Sequence, residues 1–288
     1  TNGYATVTSP GNDPYVITVG AMKTMGTPTR VDDLIASYSS KGPTAIDAIA
    51  KPDLVAPGNL LVSLEAPGST LYTQYPINQV PYSFYVNGGS SAPSSSYFTL
   101  SGTSMATGVV SGVVADLLQK SPNLNPDQVK ARLMKTAWKA LPAYSSTTDP
   151  TTGITYTDQY DVFTVGAGYV DVEAALSNTD LAKGTAMSPV ASYNASTGYV
   201  YLNDSSTAIW NTSATWSNSA VWGSQQFVVG APTYAMSGNP LWGGNDAVWG
   251  SNALWGAGGV YGNNALWGAN ALWGANALWG ANVTGGEQ

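Results

Sequence analysis

From Ser104 onward the apolar residues fall at Val109, Val110, Val113, Val114, Leu117 and Leu118. They make two adjacent stripes at a spacing of four, the pattern of a buried helix face, and predict a helix with Ser104 in its first turn. Gly108 and Gly112 lie inside it, where the missing side chains would let a neighbouring strand or helix approach closely. Asn125-Pro126-Asp127-Gln128 predicts a second helix start, with a capping Asn, Pro at the first position and an acid in the first turn. Val129, Leu133 and Ala137 repeat at four as its inner face, and Trp138 sits near its end. Tyr15–Ala21 is a short apolar run rich in β-branched residues, preceded by Pro-Gly-Asn-Asp-Pro, and predicts a buried strand. Strands alternating with helices predict an α/β fold with a parallel sheet.

Beyond Leu176 the pattern changes. Residues 184–288 contain no Lys or Arg, and their only acids are Asp204, Asp246 and Glu287. Tryptophan recurs at 210, 216, 222, 242, 249, 255, 267, 273 and 279, with Tyr261 filling the gap between Trp255 and Trp267. From Asn264 the unit reads Asn-Ala-Leu-Trp-Gly-Ala. Six residues in a helix leave successive tryptophans about 240° apart, so no single helical face collects them. Glycine in every unit also opposes a helix. In a strand, a period of six puts every Trp on one side. A series of short extended pieces bent at Gly-Ala-Asn, each burying one Trp, fits best, and a fixed period points to stacking of like units. Three roles are open to this tail: a structural wrap on the preceding domain or on itself, an aromatic surface for attachment, or self-association.

Charge and composition narrow the function. The 288 residues carry 10 Lys plus Arg against 17 Asp plus Glu, a net charge of −7, and no basic cluster, so a nucleic-acid partner is not expected. No apolar run reaches the roughly 18 residues of a membrane span. Cysteine is absent, which excludes disulfides and thiolate metal sites. Low charge with abundant Ser, Thr, Asn, Gly and Tyr fits a secreted protein.

The candidate chemistry lies in Ser101-Gly102-Thr103-Ser104-Met105-Ala106-Thr107-Gly108. A serine hydroxyl is a weak nucleophile and needs an adjacent base, usually an imidazole held by a third group. The chain contains no histidine, so these residues do not complete a Ser-His-Asp triad. In the first turn of a helix, free N–H groups and the helix dipole favour a developing negative charge.

Five ordered segments resemble the subtilisin-like serine proteases. They are Tyr15–Ala21, Ala36-Ser37-Tyr38-Ser39-Ser40-Lys41-Gly42-Pro43, Lys51-Pro52-Asp53-Leu54-Val55-Ala56-Pro57-Gly58, Gly102-Thr103-Ser104-Met105-Ala106, and Gly166-Ala167-Gly168-Tyr169-Val170-Asp171-Val172. The resemblance implies the C-terminal half of a parallel-sheet, subtilisin-like α/β fold over residues 1–180. A linker over 181–208 and an irregular or short-stranded Trp/Gly/Asn repeat tail over 209–288 would follow. Ser104 becomes the nucleophile of an extracellular serine endopeptidase acting on polypeptides, and its backbone N–H one oxyanion donor. The family's last-placed triad residue is the serine, so the Asp, His and oxyanion Asn segments are expected upstream of this sequence or on a partner chain. Asn2 is the one candidate here for the oxyanion asparagine, and its flanks do not match. The segment ending at Ser9-Pro10-Gly11 would form a wall of the pocket for the residue before the scissile bond, placing Val7 and Thr8 near it. Gly108 stands where the family usually has proline, with a small effect on stability expected. The chemistry requires no cofactor. Structural calcium occurs in the family, but no acidic cluster here has suitable spacing. A catalytically inactive fragment with a structural, self-assembling or surface-attachment role through the Trp repeats is the competing reading.

Overall fold

The computed structural model describes residues 4–148, 153, 155–194, 199–203, 208–211, 215, 216, 221 and 222. In chain order the elements are β1 (Val19–Lys23), β2 (Leu34–Ile35), β3 (Leu54–Pro57), β4 (Leu61–Leu64), α1 (Thr70–Gln74), β5 (Gln79–Pro81), β6 (Pro93–Leu100), α2 (Thr103–Lys120), α3 (Pro126–Thr136), β7 (Tyr144–Thr148), β8 (Thr155–Gln159), α4 (Val162–Val165), α5 (Val172–Ser177), β9 (Val190–Asn194) and β10 (Tyr199–Asn203).

β1 is buried along its whole length, as a central strand covered on both faces must be. It pairs in parallel with β3, from Val19–Leu54 to Met22–Pro57, and antiparallel with β2 on its other side. Among the described residues this is the one parallel strand pair; β4-β6-β5, β7-β8 and β9-β10 are antiparallel. The content is mixed α/β, and the expected parallel pairing is seen at β1–β3 and continues in the parallel bridge of Val55 with Tyr169. The free edge of β3 is taken by the segment after α4: Val55 N–H donates to Gly168 C=O at 3.0 Å, and Val170 N–H donates to Val55 C=O at 2.9 Å.

The strand expected over Tyr15–Ala21 starts at Val19 instead and runs on to Lys23. Tyr15 and Val16 are exposed. The carbonyls of Pro14 and Val16 serve two lysine ammonium groups rather than a strand ladder, which turns the apolar side chains of this stretch outward.

Helix α2 buries Ala106, Val110, Val113 and Leu117 against Ala21, Met22, Leu54, Val55 and Ala56. Each large side chain so covered contributes roughly 1.5–3 kcal/mol. Of the second stripe, Val109 and Val114 are half-buried and Leu118 is exposed. Gly108 and Gly112 do not mark a close approach: a Cβ at either meets nothing within 4 Å among the described residues. They follow Ser104 at steps of four, so all three lie on the outer face of the helix, and all three are exposed.

α3 begins as its sequence dictates. Asn125 accepts from Gln128 N–H at 2.9 Å and Gln128 reaches back to Asn125 N–H at 3.1 Å, with Pro126 at the first position. Its buried face is broader than the spacing of four indicates, because Lys130, Ala131, Arg132 and Met134 are covered together with Val129 and Leu133.

Residues 181–208, read from the sequence as a linker, include the β9–β10 hairpin, closed from Asn194–Tyr199 to Val190–Asn203. Ala182, Ala186, Ala191, Val200, Ala208 and Ile209 share one apolar cluster with Ala131, Met134, Val162 and Phe163. Trp210, Trp216 and Trp222 enter the same cluster. Trp210 and Trp222 meet edge to face, ring centroids 6.0 Å apart at 66°, a favoured aromatic geometry. The Lys135 ammonium lies 4.3 Å from the Trp216 ring centroid. Trp210 sits in a 3-10 turn, Ile209–Asn211, not in an extended piece. The tryptophans from 242 onward lie outside the described residues.

Candidate active site

β3 delivers the chain to Gly58, and Gly58 holds the start of α2. Gly102 N–H donates to Gly58 C=O at 2.8 Å, and Leu60 N–H donates to Ser101 Oγ at 2.9 Å. Gly58 N–H is anchored on Met22 C=O at 3.0 Å. There is no room for a side chain here: a Cβ on Gly58 would stand 2.6 Å from Ala21 Cβ, 2.9 Å from Gly102 O and 3.1 Å from Ala106 Cβ. Gly58→Ala is therefore expected to push α2 off β1 and cost about 1–3 kcal/mol, read as a drop in the urea midpoint. An unchanged midpoint would refute this packing.

Gly102 takes φ 156, ψ 161, a region open essentially to glycine alone, and caps α2 without a side-chain hydrogen bond. Thr103 and Ser104 are the first two helical residues. Met105 and Ala106 N–H both donate to Gly102 C=O, at 3.1 and 3.3 Å. Among the described residues no acceptor takes the N–H of Thr103 or Ser104, or engages the Ser104 hydroxyl. Ser104 is exposed. An exposed hydroxyl beside free amides at a helix start is suited to attack on a carbonyl and to holding the resulting oxyanion. The chain contains no histidine to serve as its base. Among the described residues no group of His, Cys, Asp or Glu could hold a metal ion.

Val7 is buried and Thr8 half-buried, in a loop closed by Asn12 N–H on Thr8 C=O at 3.2 Å. No hydrogen bond among the described residues ties this loop to the Ser104 turn. Asn2 lies outside the described residues.

Sequence reasoning missed the buried charge cluster under this loop. Asp53 is fully covered. It meets Lys51 Nζ at 2.9 Å and Lys130 Nζ at 3.1 Å, and accepts from Ser188 Oγ at 2.6 Å and Thr18 N–H at 2.8 Å. Lys130 also donates to Pro14 C=O at 2.8 Å and Val16 C=O at 3.0 Å, and Lys51 donates to Val16 C=O at 3.0 Å. Thr18 Oγ1 then donates to Gly11 C=O at 2.6 Å. The cluster thus ties β3, α3 and Ser188 to the 11–18 loop. Burial alone would raise the Asp53 carboxyl, but the Lys130 and Lys51 ammonium groups, with Ser188 and Thr18, hold it below its ordinary value. The signal available in the sequence was a charged Lys-Pro-Asp opening an otherwise apolar strand; Lys130, on α3, carried none.

Burial pushes Lys130 down to about 8, against the pull of Asp53. Burial likewise pushes Lys139 down to about 7, where its ammonium donates to Met134 C=O at 2.9 Å and Ala167 C=O at 2.6 Å. Both folded values lie below the ordinary lysine value, so between pH 7 and about 10 the unfolded chain binds more protons and stability rises with pH. The tyrosines act the other way higher up. Burial raises Tyr4, Tyr160 and Tyr169, so their contribution is lost as pH climbs past about 10. The urea midpoint is expected to be higher at pH 9 than at pH 6.5, by about 1–2 kcal/mol in stability, with part of the gain removed in Lys139→Met. A flat or falling midpoint over this range would refute the burial of these lysines.

The subtilase family model (Peptidase S8) matches residues 1–168. The chain belongs to the subtilase family. Serine protease AprX of Bacillus subtilis (strain 168) is 43% identical over 128 residues, which cover 44% of this chain and 26% of that protein. Subtilisin-like protease SBT3.9 of Arabidopsis thaliana is 32% identical over 152 residues, covering 51% of this chain and 16% of that protein. Among solved structures, fervidolysin from Fervidobacterium pennivorans, described as a keratinolytic enzyme related to subtilisin, aligns at 28% identity and TM-score 0.39, covering 61% of this chain and 21% of that one. The chain spans about a quarter or less of the length of these relatives.

Proposed function

We propose that this chain supplies the nucleophile of an extracellular serine endopeptidase, with Ser104 as the attacking residue. The observation that carries the reading is the exposed Ser104 in the first turn of α2, beside N–H groups that no acceptor takes among the described residues. The catalytic Asp, the His and the oxyanion Asn come from outside these 288 residues, upstream or on a partner chain. The imidazole takes the Ser104 proton as Oγ bonds to the peptide carbonyl carbon. The Ser104 N–H and the Asn amide hold the oxyanion. The C–N bond then breaks, the amine leaves with that proton, and water releases the acyl group from Oγ. Val7 and Thr8 contribute to the pocket for the residue before the scissile bond. No cofactor takes part in these steps.

The test joins the chain to a separately made subtilase N-terminal half carrying the Asp and His segments. Release of the chromophore from a peptide p-nitroanilide in the mixture, with an initial burst from acyl-enzyme formation, is the expected result. Absence of turnover despite demonstrated association would overturn the reading.

A second role, for the Trp-rich segment, is favoured by the burial of Trp210, Trp216 and Trp222 in one cluster with α3 and α4. In this reading the first repeats wrap the protease portion and stabilise it. Trp210→Ala is then expected to cost about 3–5 kcal/mol.

A further inference from the structure

The Gly58 carbonyl accepts two donors, and only one belongs to the nucleophile turn. Gly102 N–H reaches it at 2.8 Å and the Tyr38 hydroxyl at 2.9 Å; Tyr38 also lies 3.3 Å from Asn59 Oδ1. The turn that carries Tyr38 is itself pinned to the central strand. Ala36 N–H donates to Ala21 C=O at 2.9 Å, and Ala21 N–H donates to Ser39 Oγ at 3.0 Å. Both backbone groups of Ala21 are thus used to hold residues 36–39, and the phenol is presented to Gly58 from a fixed base.

Gly102, at φ 156, lies in a region that glycine enters without strain, but Leu60 takes φ 53. Such conformations cost of order 1–3 kcal/mol for a non-glycine residue and persist only where the surroundings over-determine them. Among the described residues the determinants include Gly58 N–H on Met22, Leu60 N–H on Ser101, Gly102 N–H on Gly58, and the Tyr38 hydroxyl on Gly58. Gly102 is two residues before Ser104, so its peptide orientation sets where the Ser104 amide and hydroxyl point.

We propose that Tyr38 is a positioning residue for the Ser104 turn, acting through its hydroxyl on the Gly58 carbonyl. Its hydroxyl fixes the Pro57–Leu60 loop, that loop fixes Gly102, and Gly102 fixes the first turn of α2. A half-ångström drift of a nucleophile lowers reactivity without unfolding anything. The catalytic consequence rests on Ser104 being the nucleophile; the mechanical link does not.

The experiment compares the wild-type chain with Tyr38→Phe, which keeps the ring and removes the hydroxyl, and Tyr38→Leu, which removes both. Amide hydrogen exchange at Gly102 is measured on the chain, with α3 amides as the reference for global opening. The rate of Ser104 phosphonylation by a fluorophosphonate is measured after assembly with the N-terminal half. In Tyr38→Phe, exchange at Gly102 is expected to quicken, and phosphonylation to slow, by about three- to tenfold each, while α3 exchange and the urea midpoint hold. Unchanged Gly102 exchange in Tyr38→Phe, or an effect confined to Tyr38→Leu and shared by α3, would overturn the proposal and leave Tyr38 a packing residue. If wild-type Ser104 takes no label at all, the nucleophile reading fails, and Gly102 exchange alone decides the clamp.

Discussion

Asp53→Asn is expected to lower the stability of the chain by about 3–5 kcal/mol, the range found when one partner of a buried charge cluster is removed. The amide matches the carboxylate in shape, so cavity formation is not the cause. What changes is charge: Lys51 and Lys130 would be left covered by protein with no negative partner. The loss should appear as a lower urea midpoint. It should also shrink in the double variant Asp53→Asn/Lys130→Met, because the second change removes one uncompensated ammonium. Exchange at Thr18 and its neighbours should quicken in the single variant, since Thr18 N–H loses a charged acceptor. A loss below about 1 kcal/mol, the scale of an ordinary surface pair, would contradict a buried cluster.

Ser104→Ala carries the larger effect on chemistry and almost none on the fold. Ser104 is exposed and its hydroxyl engages nothing among the described residues. Alanine is also the best helix former, so the urea midpoint should stay within about 0.5 kcal/mol of wild type. In the assembled enzyme the turnover number should fall on the order of 10⁶-fold, the scale seen when the serine is removed from a triad that acts as a unit. Retained turnover in Ser104→Ala would move the nucleophile elsewhere. Lost turnover with an equally lost fold would give Ser104 a structural role.

The local part of this architecture was legible in the sequence. The spacing of Val110, Val113 and Leu117 places the buried face of α2 and, with it, the outward position of Ser104. The capping of α3 needs only residues 125–128, which are adjacent in the chain. The Asp53 cluster was not legible, because it closes over long separations: 135 positions from Asp53 to Ser188 and 114 from Lys130 to Val16. No periodicity encodes such a meeting. The same cluster explains why a strand was expected too early, since apolar Tyr15 and Val16 look like strand residues until their neighbouring carbonyls are seen to serve lysines. In the sequence Tyr38 stands out only as part of a family-like segment, and its hydroxyl acquires a role only once β3 brings Gly58 beneath it. In the Trp-rich segment the period of six was visible. That Trp210 and Trp222 face each other depends on how residues 182–209 fold back over α3 and α4, which a repeat length does not specify.

The most direct test of the central claim is fluorophosphonate labelling of the chain, alone and combined with a subtilase N-terminal half carrying the Asp and His segments, followed by peptide mapping. A single adduct on Ser104, formed in the mixture and absent from Ser104→Ala, is the predicted result. No adduct on Ser104 in a mixture shown to associate would contradict the account and leave the chain a structural role.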